Sequence, residues 1–155
     1  MEVSFAISSD ASRKEKLREG TAAFLSSLGF HEIMGMSLME SRILSGSGLD
    51  SKDLVLVNNT SNINLDVMRP DMLRSGLQSI QYNQSRQQGM LKFYEFGFTY
   101  HRSPDAKWPF RETPSLAVFI YGPVDQEHWD LKDPRQGFFF LKGLIHQLLA
   151  KWHLG

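Results

Sequence analysis

From Leu91 to Tyr100 the chain reads LKFYEFGFTY, and period-two alternation sorts it into two faces. Tyr94, Phe96, Phe98 and Tyr100 share one face; Leu91, Phe93, Glu95, Gly97 and Thr99 share the other. A second run, Ser115 to Gly122, is apolar on both faces and reads as a strand that is central or covered twice. The Pro-containing segment 101–113, with Trp108, reads as the loop that returns the chain, so the two strands form an antiparallel pair. On the first strand Glu95 is the odd member of an apolar or small face. It either sits at a cavity mouth, pairs with an Arg, or serves as a binding-site acid.

Helical patterns surround this hairpin. Between Met72 and Arg86, Leu73, Leu77 and Ile80 recur at intervals of four and three, which predicts one buried face. Pro70 and Asp71 suit the start of that helix, Gly89 is available as a positive-φ stop, and Gly76 predicts a close backbone approach. Upstream, Ser12 is a plausible N-cap for a helix carrying Leu17, Thr21, Phe24, Leu25 and Leu28, with Gly29 as its stop and Phe30 folding back. His31 to Glu40 then reads as one strand, Leu54 to Val57 as a short buried strand, and Ser41 to Lys52 as a turn or single helical turn. At the other end Leu141, Leu144, Ile145, Leu148, Leu149 and Trp152 define a strongly amphipathic helix. The expected fold class is α+β, an antiparallel sheet flanked by helices, with residues 1–12 as an N-terminal arm bearing Val3 and Phe5, and 13–155 as one core.

The composition excludes several classes. With 41% hydrophobic residues and 11 Phe the chain is a folded globule. Seventeen Lys and Arg balance seventeen Asp and Glu, against the basic excess of a dedicated nucleic-acid binder. The absence of Cys removes disulfides and Cys-ligated zinc and suits a cytoplasmic protein. No apolar run reaches membrane length, and the N-terminus has no signal-peptide core. The five His lack metal-ligand spacing, and Asp125, Glu127, Asp130 and Asp133 form an acidic loop that reads as solvated, with Trp129 turned inward. There is no Gly-rich phosphate loop.

Several motifs in order carry a family resemblance. They are the helix ending in Leu28-Gly29-Phe30 and its strand; Met68-Arg69; Leu73-Arg74-Ser75-Gly76-Leu77; Asn83 with Arg86; Phe93-Tyr94-Glu95-Phe96-Gly97; and Phe139-Phe140-Leu141-Lys142-Gly143. Together, from about Arg13 to Gly155, they resemble the C-terminal, class II synthetase-like core of the bacterial phenylalanine–tRNA ligase beta subunit. Two departures are visible: Asn59-Thr60 replaces an Asn-Pro pair, and Phe138 stands where an Asp often does.

The resemblance implies a class II aminoacyl-tRNA synthetase-like sheet without catalysis. An active relative carries Arg-x-Glu on the first strand of the hairpin; counting back from Glu95, the Arg position holds Phe93. A phenyl ring gives no charge-assisted hydrogen bond to a phosphate. The Gly-rich third signature does not occur before Gly155, and the synthetase-like core is expected to be partial, with an exposed sheet edge or apolar patch.

The resemblance therefore assigns no catalytic residue and no metal ligand here. It marks Phe93, Glu95 and Gly97 as a vestigial pocket, and Arg69, Arg74, Asn83, Arg86 and Lys142 as polar positions serving either an interface or their own loop. It implies that ATP and magnesium are used by the holoenzyme and not by this domain. The implied partners are the catalytic alpha subunit, in a heterotetramer of two alpha and two beta, and tRNA(Phe) through the holoenzyme. Two other readings stay open: a self-sufficient ATP-dependent adenylate-forming ligase, and an RNA-binding module using Arg69, Arg74 and Arg86. The N-terminal helix either builds subunit contacts, as in the family, or simply covers its own sheet.

Overall fold

The computed structural model describes residues 9–46, 48–58, 62, 64–103, 108–123 and 136–153, and of residues 9–12 and 136 the backbone alone. The Val3 and Phe5 arm, the Asn59-Thr60 loop, and the acidic loop with Trp129 lie outside the described residues. Among the described residues three α-helices and five strands follow in the order α1 (Ser9–Ser27), β1 (His31–Glu32), β2 (Leu38–Met39), β3 (Val67–Met68), α2 (Leu73–Gln84), β4 (Leu91–Arg102), β5 (Phe110–Tyr121) and α3 (Gln136–Lys151). Short 3-10 helices at Ser41–Leu44 and Ser51–Asp53 fill the expected turn region.

The predicted hairpin is the spine. β4 and β5 pair antiparallel from Leu91↔Tyr121 to Arg102↔Phe110. β5 thus begins inside the segment expected to be loop and carries Pro114 opposite Phe98. Proline is tolerated there because β5 is at the edge of the β1-β4-β5 sheet. One pairing departs from an all-antiparallel sheet: β1 runs parallel to β4, with His31 opposite Phe93.

Both faces of the hairpin are covered near β1. On one face Tyr94 joins Leu25 from α1, Phe30 just after it, and Leu144 and Leu148 from α3, with Phe96, Val118 and Ile120 beside them. On the other face Leu91, Phe93 and Phe119 pack with Ile80 of α2. α1 stops where Gly29 takes φ +81. There the Phe30 N–H donates to the Leu25 carbonyl (3.1 Å) and the Gly29 N–H to that of Ser26 (3.0 Å), with both Leu25 and Phe30 in the core.

Four expectations need correction. α1 begins at Ser9, so Ser12 lies within the helix and is not its cap. The His31–Glu40 strand is split: β1 joins the main sheet, β2 pairs with β3, and the intervening backbone turns its Gly35 N–H toward Glu95. Leu54 to Val57 makes one bridge, Leu56 to Val67, and Leu56 is exposed. In α2 the buried side is Met72, Ser75, Gly76 and Ile80, while Leu73 and Leu77 face outward at 56% and 51% exposure. The helix lies flat on the sheet because its inner residues are small. A Cβ added at Gly76 would sit 2.1 Å from the Phe119 ring, so leucines cannot occupy that side. The close approach expected at Gly76 is present.

The stop of α2 also differs. Gln87, not Gly89, takes the left-handed conformation, at φ 64. The Gln87 and Gln88 N–H groups donate to the Gln84 and Asn83 carbonyls. A side chain there costs about 1–2 kcal/mol relative to an ordinary backbone. Gln87→Gly is therefore expected to raise the melting midpoint by about 2–4 °C in a calorimetric scan, net of glycine's unfolded-state entropy.

The β2–β3 layer is fastened by Asp66. Its Oδ2 accepts from the Ser41 hydroxyl and its Oδ1 from the Ser41 N–H, each at 2.7 Å. The Ser41 hydroxyl, then the Ser41 amide, hold the Asp66 carboxyl below its ordinary value. A depressed folded-state pKa adds stability that is present above the unfolded value and lost as pH falls through the folded one. Carboxyl NMR titration is expected to show the Asp66 carboxyl in Ser41→Ala moving up toward its ordinary value, and that variant to lose less stability on acidification than the parent.

Candidate functional site

Glu95 and Gly97 lie where the end of β3 meets the middle of β4. Arg69 follows β3 directly. Its backbone N–H donates to the Ser37 carbonyl (2.8 Å) and its carbonyl accepts from the Tyr100 N–H (3.0 Å), so main-chain bonds on both sides aim the side chain inward. The guanidinium Nη1 donates to Glu95 Oε1 at 2.6 Å, and Nε donates to the Phe98 carbonyl at 2.9 Å. Glu95 Oε1 also accepts from the Gly35 N–H at 3.1 Å. Arg69 is 2% exposed and Glu95 1%. Of the openings left by the sequence, Glu95 is the acid that pairs with an Arg.

Gly97 makes room for this pair. A Cβ there would lie 2.0 Å from Arg69 Nη2 and 2.9 Å from the methyl of Met72. Phe93, two residues the other way on the same face, is buried with Ile80 and Phe119. At Phe93 this face presents a ring sealed beneath α2. Next to Arg69, the Tyr100 hydroxyl donates to Glu112 Oε1 at 2.8 Å; burial, then the Glu112 carboxylate, push the phenol above its ordinary value.

The other polar positions disperse. Arg74 pairs with Asp71, whose Oδ1 accepts from the Leu73 N–H (3.0 Å) and thereby starts α2, as Asp71 was expected to do. Asn83 donates to the Ser79 carbonyl at 2.8 Å. Arg86 donates to the Tyr82 carbonyl (2.9 Å) and lies 3.4 Å over the Tyr82 ring. Lys142 is exposed on α3, across the sheet. Arg69 and Glu95 meet, with Gly97 beneath them; Arg74, Asn83, Arg86 and Lys142 do not join them. With Arg69 buried and Arg74 paired, the three arginines present no shared basic surface.

Gly35 and Ser75 complete the site and were not singled out from sequence. Gly35 stood in the middle of an apparent strand, which is itself a signal for a bulge or a close approach. A Cβ at Gly35 would lie 2.9 Å from Ser75 Cβ. Among the described residues no group of three His, Asp or Glu side chains converges. Glu95 Oε2 is buried without a hydrogen-bond partner, and it is a single oxygen inside an ion pair, short of a cation's usual ligand set.

A family model described as the phenylalanyl tRNA synthetase beta chain CLM domain matches residues 3–155. The chain belongs to that family. It is 30% identical over 149 residues to a phenylalanine–tRNA ligase beta subunit of Bacteroides fragilis, covering 92% of this chain and 18% of that protein. It is 31% identical over 127 residues to the beta subunit of Acinetobacter baylyi, covering 81% and 16%. The chain thus spans under a fifth of the length of these relatives. Its fold is that of class II synthetases. A histidine–tRNA ligase subunit of Alicyclobacillus acidocaldarius superposes with a TM-score of 0.69 at 13% identity, over 96% of this chain and 40% of that one. A pyrrolysyl tRNA synthetase of Desulfitobacterium hafniense does so at 0.63 and 16%, over 87% and 45%.

The Arg69–Glu95 pair makes a sharp expectation. Removing one member of a buried pair leaves an uncompensated charge and costs about 3–5 kcal/mol, whereas replacing both by apolar side chains is close to neutral. In urea unfolding Glu95→Ala is expected to be severely destabilised, and Arg69→Met with Glu95→Leu to recover most of the loss. A Glu95→Ala chain with the parent's midpoint would show that the pair contributes nothing.

Proposed function

We propose that this module is a non-catalytic, synthetase-like part of a phenylalanine–tRNA ligase beta subunit, which supports assembly with the catalytic alpha subunit. In this reading the holoenzyme, two alpha and two beta subunits in the cytoplasm, joins L-phenylalanine to tRNA(Phe) with ATP and magnesium, and this domain alone is inactive. The carrying observation is how the hairpin is used. Its acid is engaged by an internal arginine, the arginine position next to it is Phe93, and α2 lies flat over both.

Adenylate formation needs cations aimed at a triphosphate and carboxylates holding metal. The residues present do not fit that task. Arg69 is the cation nearest Glu95, and freeing it would strand a buried carboxylate. What the module offers instead is a rigid sheet and outward-facing side chains. Leu73 and Leu77 on α2, and Met34 and Met36 in the segment between β1 and β2, are exposed apolar residues of the kind an assembly surface uses.

Calorimetric titration of magnesium ATP into the chain is expected to give no binding heat, and the chain is expected to co-purify with an alpha subunit from the same genome. A magnesium-dependent ATP signal would favour the self-sufficient adenylate-forming enzyme. A folded chain that fails to retain the alpha subunit would remove the assembly role.

A further inference from the structure

Asn83 and Arg86 lie away from Arg69 and Glu95, on a cleft of their own. Where α2 ends beside the starts of β1 and β4, a cavity of about 390 Å³ opens. Its floor is Leu91 and Phe93, both buried. Its rim is polar: His31 from β1, Asn83 in the last turn of α2, and Arg86 and Gln88 just beyond it. His31 stands opposite Phe93 in the parallel pairing, so both side chains lie on the α2 side of the sheet. The Arg86 guanidinium is held on one edge and one face: Nη1 donates to the Tyr82 carbonyl at 2.9 Å, and Cζ lies 3.4 Å over the Tyr82 ring. Its Nε and Nη2 N–H groups, which point the same way from the other edge, make no hydrogen bond among the described residues. Left-handed Gln87 (φ 64) sets the turn between Arg86 and Gln88, and strained backbone of this kind gathers at ligand sites. Among the described residues no carboxylate lines the cavity; Glu32, next to His31, faces the Tyr94 hydroxyl and Arg18 instead. Lys92 borders the cavity too, but its ammonium lies 5.3 Å over the Phe140 ring, so one fixed cation serves the cleft.

We propose that this cavity binds an organic monocarboxylate with a short apolar tail, its two oxygens on the free edge of Arg86 and its tail on Leu91 and Phe93. Two parallel N–H groups on one guanidinium edge match the spacing of carboxylate oxygens. The Tyr82 carbonyl and ring already fix that guanidinium, so little freedom is lost when the anion docks. The His31 imidazole and the Gln88 amide can each donate one further bond. The volume falls in the usual range for small-molecule sites. The charge count narrows the class. One fixed cation suits a monoanion and leaves a phosphate dianion half neutralised. With no acid on the lining, the ammonium of an α-amino acid finds no partner, so the cleft favours acids without an amino group. The same chemistry is presented by a free acid and by the C-terminal carboxylate of a peptide. The site stands independently of assembly with another subunit.

The test titrates the isotopically labelled full chain with hydrocinnamate, its neutral amide, L-phenylalanine and inorganic phosphate, read by backbone amide shifts. Hydrocinnamate is expected to bind with a dissociation constant on the order of 1 mM, ordinary for a ligand of its size, and to shift His31, Arg86, Gln88 and Phe93. The amide, the amino acid and phosphate are each expected to bind about tenfold more weakly or not at all. Arg86→Lys keeps the charge and loses the fork, and is expected to weaken hydrocinnamate about tenfold. The ligand series on the parent chain decides the matter even where that variant folds poorly. Equal binding of the amide, tighter binding of phosphate or L-phenylalanine, or shifts centred on Leu77 or Phe98 would overturn the proposal. So would no shift at tenfold the expected constant, or a folded Arg86→Lys chain with the parent's affinity. Competition by an acetylated dipeptide with a free C-terminus, and none by its amidated form, supports a peptide end as the occupant. Hydrocinnamate binding that the dipeptide does not displace supports a free acid.

Discussion

The buried pair of Arg69 and Glu95 is the contact through which the parts of this chain are fitted together. Arg69 ends the small β2–β3 layer, Glu95 sits mid-way along β4, and the Gly35 N–H that shares Glu95 Oε1 belongs to the link between β1 and β2. Three separate stretches of chain thus converge on one carboxylate oxygen. Charges taken out of water gain little net stability, but they tolerate few alternative arrangements. The pair acts as a register pin more than as a source of cohesion, which comes from the apolar clusters on both faces of the hairpin.

The same pin shapes what the module can do. A synthetase needs an open, cationic sheet face; here that face is closed from within. Gly97 leaves space for a guanidinium, Gly76 lets α2 settle onto Phe119, and Phe93 fills what remains. The residues that make the fold dense are the ones that close this face of the hairpin.

The hairpin, the three helices and the importance of Glu95 were legible in the sequence, because aromatic alternation and helical spacing report burial on regular elements. The errors share one cause. Leu73 and Leu77 follow the spacing of a buried face, yet burial in α2 was decided by Gly76 and Ser75, which let the helix approach the sheet more closely than leucines permit. The His31–Glu40 segment alternates like a strand, yet Gly35 was needed as a donor to Glu95, and a two-residue β1 is what is left. Gly89 was the obvious helix stop, yet the positive φ fell on Gln87. In each case a tertiary contact overrode a local preference. Arg69 as the partner of Glu95 could not be read from spacing, since 26 residues separate them.

The brevity of β1 has a consequence for motion. β1 is held to the main sheet by a two-residue parallel pairing and one further backbone bond, from the Ile33 N–H to the Tyr94 carbonyl at 2.8 Å. β4, by contrast, has a full twelve-residue ladder with β5. Amide protons at the buried end of the β4–β5 ladder are therefore expected to outlast those of β1 in deuterium exchange, since so short a pairing opens with few bonds broken.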